Sequence, residues 1–295
     1  MIVLDAPRGP PSRRSAPLYP LGVSRRPGII VCALSIALVA AVALRLMLGP
    51  AELAWPTDGQ VLGLRWHRAA LACVCGGGLA VAGVLLQTFL RNPLASPDLT
   101  GVASGAGLGV LVASFVSFKA GQTLSPLLFG PAALAGALAT LSLVGSLARR
   151  GGRSDPIAMV LIGVSVGIVA TSLGMVIQHL MPPDPARPAI RWMIGSLDEQ
   201  MPGWIVGVGA VIVCGATGLA VALGPSLDAA AMSDEEAASV GVRVGVLRVW
   251  MFVLAGMLTS VAVVLGGPIG FVGLVCPHLV RSIMGPGHRW LAIGT

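Results

Sequence analysis

The chain has 295 residues, 55% of them hydrophobic and only 11% charged, with a mean hydropathy of +0.89. A soluble domain carries about 25% charged residues, so this much apolar surface needs a bilayer as its solvent rather than a water-facing core. The formal net charge of +7 does not point to nucleic acid, because the basic residues are scattered between apolar runs and aromatics are only 4%, too few for a stacking platform.

Residues 1–28 are polar, Pro-rich and basic (Arg8, Arg13, Arg14, Arg25, Arg26). They read as a cytoplasmic tail. A signal peptide is the rival reading, but no small-x-small cleavage site follows the next apolar run. The remainder, 29–295, reads as one transmembrane domain. Span 1 covers 29–48 and moves outward, with Arg45 able to snorkel at its far end. Residues 49–68 read as a polar loop with Glu52, Asp58, Arg65, His67 and Arg68. Span 2, at 69–90, is rich in glycine and closes on RNPLASP at 91–97, where Asn92-Pro93 and Ser96-Pro97 break the helix. Span 3 covers 98–118. Its Gly101, Gly105 and Gly109 recur every four residues, which bares one face for close helix approach.

Span 4, at 126–148, leads into a basic turn with Arg149, Arg150 and Arg153. Span 5, at 156–180, repeats the small-residue device at Gly163 and Gly167. A Pro-rich loop fills 181–202, and span 6 covers 203–223. The polar stretch 224–248 follows, with Asp228, Asp234, Glu235, Glu236, Arg243 and Arg248. Span 7 covers 249–266. The last apolar segment, 269–284, lies between Gly266-Gly267-Pro268 and a polar end at Arg281, His288 and Arg289. It is too short for a full span and reads as a broken or re-entrant helix. Such backbone is tolerated at membrane depth only where protein or a water-filled cavity shelters it. A plain Pro-kinked span is the alternative. With the N-terminus inside, most of the 19 Lys and Arg residues fall on the cytoplasmic side, as the positive-inside rule requires.

Chemistry-bearing patterns are sparse. GGRSD at 151–155 has no following Lys-Ser/Thr and cannot cradle phosphates. No catalytic triad is visible. Cys32, Cys73, Cys75, Cys214 and Cys276 all sit in apolar runs without metal-ligand spacing and read as small core residues. His179 and His278 lie in or near spans. A proton-relay role competes there with that of a packed or interfacial histidine. The chain is therefore read as a non-enzyme with no metal site and no cofactor.

Four ordered segments resemble motifs of the FecCD family of ABC-transporter permeases, which bring iron–siderophores, haem or vitamin B12 into bacteria. They are GVLLQTFLRNPLASPDLTGV at 83–102, RWMIGSL at 191–197, LDAAAMSDEEAASVGV at 227–242 and GPIGFVGLVCPHLVR at 267–281. The likeness covers nearly all of the chain from about residue 29. The residues that carry it are Gln87, Arg91, Asn92, Pro93, Gly101, Gly105, Trp192, Gly195, Gly267, Pro268, Gly270, Pro277, His278 and Arg281. The resemblance implies an all-α polytopic membrane protein with the ABC-importer permease fold, of which eight spans are expected here against the family's ten. It makes 224–248 the coupling loop to a separate ATPase subunit, through Leu227, Asp234, Glu235, Ala237, Ala238 and Gly241. It places the turn 149–156 at the family's cytoplasmic gate. It also implies docking of an extracytoplasmic substrate-binding protein by arginines before span 2. Arg65 and Arg68 match, although His67 stands where the family has proline. Both arginines also sit where a span end would let them simply snorkel. Gly287 departs too, standing where the family commonly has an acidic residue.

The implied partners are two ABC ATPase subunits, one binding protein, a second permease copy or paralogue, and membrane lipid. The implied place is the bacterial cell membrane, with the N-terminus in the cytoplasm. The implied cargo is an iron–siderophore, with vitamin B12 and haem open. A secondary transporter driven by ions is the reading from another class. It needs buried carboxylates or a broken-helix pair in each half, and the predicted spans are read as free of Asp and Glu, although Asp98 stands at the first position of span 3.

Overall fold

In a bilayer, the backbone of a spanning segment must satisfy its own hydrogen bonds, and a helix does this within one segment. The computed structural model of the chain follows that rule. It describes residues 27–49, 54–150, 153–154, 156–197 and 201–295. The basic tail 1–26, Glu52 and parts of the turn 149–156 lie outside the described residues. The helices are α1 (Pro27–Met47), α2 (Gly59–Leu90), α3 (Val102–Lys119), α4 (Phe129–Leu147), α5 (Pro156–Leu180), α6 (Pro183–Met193), α7 (Gly203–Ala222), α8 (Gly224–Met232), α9 (Asp234–Ser239), α10 (Val244–Gly266), α11 (Val272–Met284) and α12 (His288–Gly294). A two-residue antiparallel ribbon pairs β1 (Arg149–Arg150) with β2 (Arg153–Ser154).

Seven of these helices are long and apolar enough to cross a membrane, and α11 is a shorter eighth apolar helix. This matches the expectation of seven full spans and one broken one. Three boundaries differ from the sequence reading. The polar loop 49–68 is partly helix: α2 starts at Gly59, where Asp58 accepts a hydrogen bond from the Gln60 amide at 2.8 Å. A side-chain cap of this kind satisfies an orphan donor and starts the helix before its apolar run. Arg65, His67 and Arg68 therefore sit on a helix, not a loop. The loop 181–202 contains α6. The start of α10 at Val244 draws Arg248 into a helix.

α2 and α10 are the most buried long helices and pack along each other, whereas α1 is almost wholly exposed. Their shared core includes Leu85, Leu86, Phe89, Met251, Phe252 and Leu258. A second core forms where α3 meets α4, around Ala106, Val110, Ala133 and Ala137. The glycine stripe of α3 is spent on these packings. Gly101 lies against Gly163 and Gly167 of α5, and Gly105 against Thr140 and Gly136 of α4. Small residues let such backbones approach closely.

Candidate functional site

The break between α10 and α11 joins three of the four sequence motifs. Gly267 has φ +72°, and a Cβ there would lie 2.4 Å from the Trp192 carbonyl oxygen. Gly195 faces it with φ +85°, and the Ser196 amide donates to the Gly266 carbonyl at 2.9 Å. The 191–197 motif is thus seated on the Gly-Gly-Pro break. Below it, Phe271 begins α11 in the left-handed region at φ +67°. Gly273 then enters a slot between Pro97 and α2, where its added Cβ would meet Pro97 at 2.6 Å and the Leu79 carbonyl at 2.7 Å. The Gln87 side-chain amide donates to the Leu274 carbonyl at 3.4 Å. Its other polar atom, Oε1, is buried with no partner among the described residues. A full helix through 267–272 would lose these contacts, so the break is built by backbone packing.

The fourth motif meets the first at the far end of α2. Arg91 caps that helix in the left-handed region, at φ 48° and ψ 36°. Its Nε donates to the Ala230 carbonyl at 2.8 Å, and its Nη2 pairs with Asp234. Arg248 pairs with the same Asp234 oxygen at 2.9 Å. Asp234 opens α9 behind Ser233, whose hydroxyl accepts from the Glu236 amide at 3.0 Å. This is an N-cap of the Ser-x-x-Glu type. A second tie runs from Asp228 of α8 to His288 of α12, with Nδ1 and the carboxylate 2.6 Å apart. Burial pushes the Asp228 carboxyl up, but two hydrogen bonds from His288 and its charge outweigh that and hold it below the ordinary carboxylate range.

The residues named for the coupling surface therefore divide. Glu235, Ala238 and Gly241 are exposed and available to a partner. Leu227 and Ala237 are 0% exposed within this single chain and anchor the loop. Asp234 is half-exposed and already paired with two arginines. At the other end of the chain's spans, Arg65 donates to the Leu46 carbonyl at 2.6 Å, tying α2 to the end of α1. Asn92 accepts from the Leu94 amide at 2.9 Å and shapes the RNPLASP turn. Pro277 is buried inside α11, while His278 is exposed on it and Arg281 is partly exposed. Gly270 and Pro268 lie in the break itself.

Sequence reasoning missed Thr88, Asp98, Asp228 and His288 as parts of this arrangement. Asp98 opens span 3 in the sequence. In the fold it lies in the 3-10 turn Pro97–Thr100 beside Gly270, whose added Cβ would be 3.8 Å from its carboxylate. The neighbouring Pro97 is level with Gly273 and Gly83, the latter seven residues inside the Leu90 end of α2. At about 1.5 Å per residue that is roughly 10 Å inward. Asp98 is itself exposed on this single chain, so its carboxylate lies beside the break and open to its surroundings. Its only sequence signal was proximity to the helix-breaking prolines. Among the described residues, no group of three His, Cys, Asp or Glu is placed to hold a metal.

A multi-pass helical membrane protein with a broken helix after α10 and a helical loop clamped to the ends of two spans has the architecture of a transport permease. The chain belongs to the FecCD transport family, whose profile matches residues 29–295. It is 34% identical over 248 residues to the cobalamin import system permease protein BtuC of Halobacterium salinarum, covering 82% of this chain and 64% of that one. It is 34% identical over 274 residues to the Fe(3+) dicitrate transport system permease protein FecD of Escherichia coli, covering 89% and 83%. It is 31% identical over 233 residues to the hemin transport system permease protein HmuU of Yersinia pestis, covering 79% and 69%. Among solved structures, it is similar to a metal-chelate type ABC transporter in an inward-facing conformation. The TM-score is 0.79 at 26% identity, covering 91% of this chain and 85% of that one. The fold is that of an ABC-importer permease.

Proposed function

We propose that the chain is the permease subunit of a binding-protein-dependent importer that carries an iron–siderophore complex into the bacterial cytoplasm. The observation that carries this reading is the clamping of 224–248 to the ends of α2 and α10 through Asp234. A loop held this way can pass a push from a separate ATPase to the two most buried spans. Glu235, Ala238 and Gly241 face outward and would meet that ATPase. Two permease copies would enclose the path, with two ATPases below and one binding protein above. The N-terminus would be cytoplasmic, and Arg65 and Arg68 would meet carboxylates of the binding protein, a pairing the planar guanidinium suits. Nucleotide-driven closure of the ATPases would shift α8 and α9, and the spans would alternate between outward and inward access. The permease itself carries out no covalent chemistry.

Relatives named for ferric citrate and hemin support an iron chelate as cargo, and the one named for cobalamin keeps vitamin B12 as the competing cargo. The test is uptake of labelled ferric siderophores, haem and cobalamin into a strain lacking this gene, with and without complementation. Loss of siderophore uptake alone is the expected result. Loss of cobalamin uptake with siderophore uptake intact would overturn the cargo. Uptake that persists without ATP hydrolysis would overturn the importer class.

A further inference from the structure

The coupling loop has a second, buried tie that none of the motifs singled out. His288 of α12 is 5% exposed and lies between two elements remote from it in sequence, α8 and α2. Its Nδ1 is 2.6 Å from Asp228 Oδ1 on α8, and its backbone amide donates to the same oxygen at 2.9 Å. Its Nε2 is 2.7 Å from Thr88 Oγ1 on α2. Thr88 in turn lies 2.7 Å from the Val84 carbonyl, one helical turn back. Two proton arrangements fit these positions. If the hydroxyl donates to Val84, Nε2–H donates to the hydroxyl and the ring is an imidazolium. If the hydroxyl turns to donate to Nε2, the ring is neutral. Either way both ring nitrogens are engaged, so the ring cannot rotate without losing both partners.

The surroundings make the tie rigid. Leu291 of α12 is fully buried and packs with Val84 of α2 and Val280 of α11. Gly224, the first residue of α8, lies so close to α12 that an added Cβ would come 3.2 Å from the Arg289 backbone. α12 is thus wedged between the coupling loop and α2. Movement of α8 cannot leave α12 behind without breaking the Asp228 bonds.

We propose that His288 is a positioning residue that transmits displacement of the coupling loop to α2, through Asp228 on one side and Thr88 on the other. This rests on the permease reading above. It is distinct from the Asp234 clamp, which reaches the end of α2 through a partly exposed arginine. The line through His288 ends inside the helix, on the Val84 carbonyl. Energetic coupling of this kind needs a contiguous physical network, and direct evidence for it comes from perturbing its members together.

The experiment uses the whole transporter, with its ATPase and binding protein, in proteoliposomes. The readout is cargo moved per ATP hydrolysed. Thr88→Val keeps the side-chain shape and removes the hydroxyl, so the fold should survive it. The expected result is a ratio lowered at least about fivefold, the low end of typical allosteric coupling, while ATP hydrolysis continues. Asp228→Asn and His288→Gln should lower the ratio similarly, and pairing Thr88→Val with Asp228→Asn should add little further loss. A ratio unchanged in all three variants would overturn the proposal. So would a parallel fall of uptake and hydrolysis, since a purely structural loss removes active transporter without changing its stoichiometry. If the unmodified transporter shows no ATP-driven uptake of any cargo, the permease reading itself fails and the proposal falls with it.

Discussion

Pro277 has no amide hydrogen, so the carbonyl four residues earlier, on Gly273, is released from the helical ladder of α11. That carbonyl is turned against α2 at Gly83, where an added Cβ would stand only 1.8 Å from its oxygen. A proline on one helix and a glycine on another are therefore one device. Gly83→Ala should destabilise the permease by about 1–3 kcal/mol, the usual cost of overpacking, read as a lower thermal midpoint and yield in detergent. Gly76→Ala, in the same helix where an added Cβ would meet no other described element within 4 Å, should be neutral or slightly stabilising. Equal midpoints for the two variants would dismiss the device. Asp228 supplies a pH test. Its carboxyl is held below its ordinary range by His288, so its ionised form favours the folded state. That stability is fully present above about pH 4, the usual range, and is lost as pH falls through the lower folded value. Asp228→Asn should therefore be less stable than the parent near neutrality. The gap should close toward pH 3, as followed by thermal midpoints across that range.

At the scale of elements, the polar stretch after α7 forms two short helices, α8 and α9, with an inner and an outer face. The inner face holds Leu227 and Ala237, both fully buried, and the outer face holds Glu235 and Ala238. The two faces separate stability from partner binding. Ala238→Trp should leave the unfolding free energy within about 0.5 kcal/mol of the parent, as expected for surface positions, and reduce ATPase co-purification at least about tenfold. Ala237→Trp should prevent folding, because an indole cannot enter a position that is 0% exposed. If Ala238→Trp retained the ATPase, the outer face would not be the docking surface. The Asp234 clamp is weaker than its geometry suggests. Its carboxylate is 48% exposed and its arginine partners 35% and 21%, so solvent screening limits each pair to about 1 kcal/mol or less.

For the whole molecule, the ties gather at two opposite ends of the spans. One end carries Arg91, Asp228, Asp234, Arg248 and His288. The other carries α6, the Gly195–Gly267 contact and the Arg65 link to Leu46. Arg65→Glu should weaken capture of the binding protein at least about fivefold at low salt. The difference should shrink as ionic strength rises, because such charges act mainly through screened attraction. Surface-plasmon binding at two salt concentrations checks this. A salt-independent loss would instead mean that the mutation acts by loosening α1 from α2.

Hydropathy by itself determined that this chain lives in a bilayer, and that seven long helices and one short apolar segment cross or enter it. Span lengths follow from bilayer thickness, and each helix satisfies its backbone locally, so both are legible in a linear string. The Gly266-Gly267-Pro268 pattern located the break, and polarity the loop at 224–248, from residue order alone. The sequence reading could not tell which loop residues face inward, because Ala237 differs from Ala238 only in what packs over it. It also read Arg65 and Arg68 as loop residues, because a capped helix that outruns its apolar stretch leaves no hydropathy signal. The bonds joining Thr88, Asp228 and His288 span separations of 60 and 200 residues. Long-range pairing of single polar side chains has no period and no local propensity, so only the packed tertiary structure decides it.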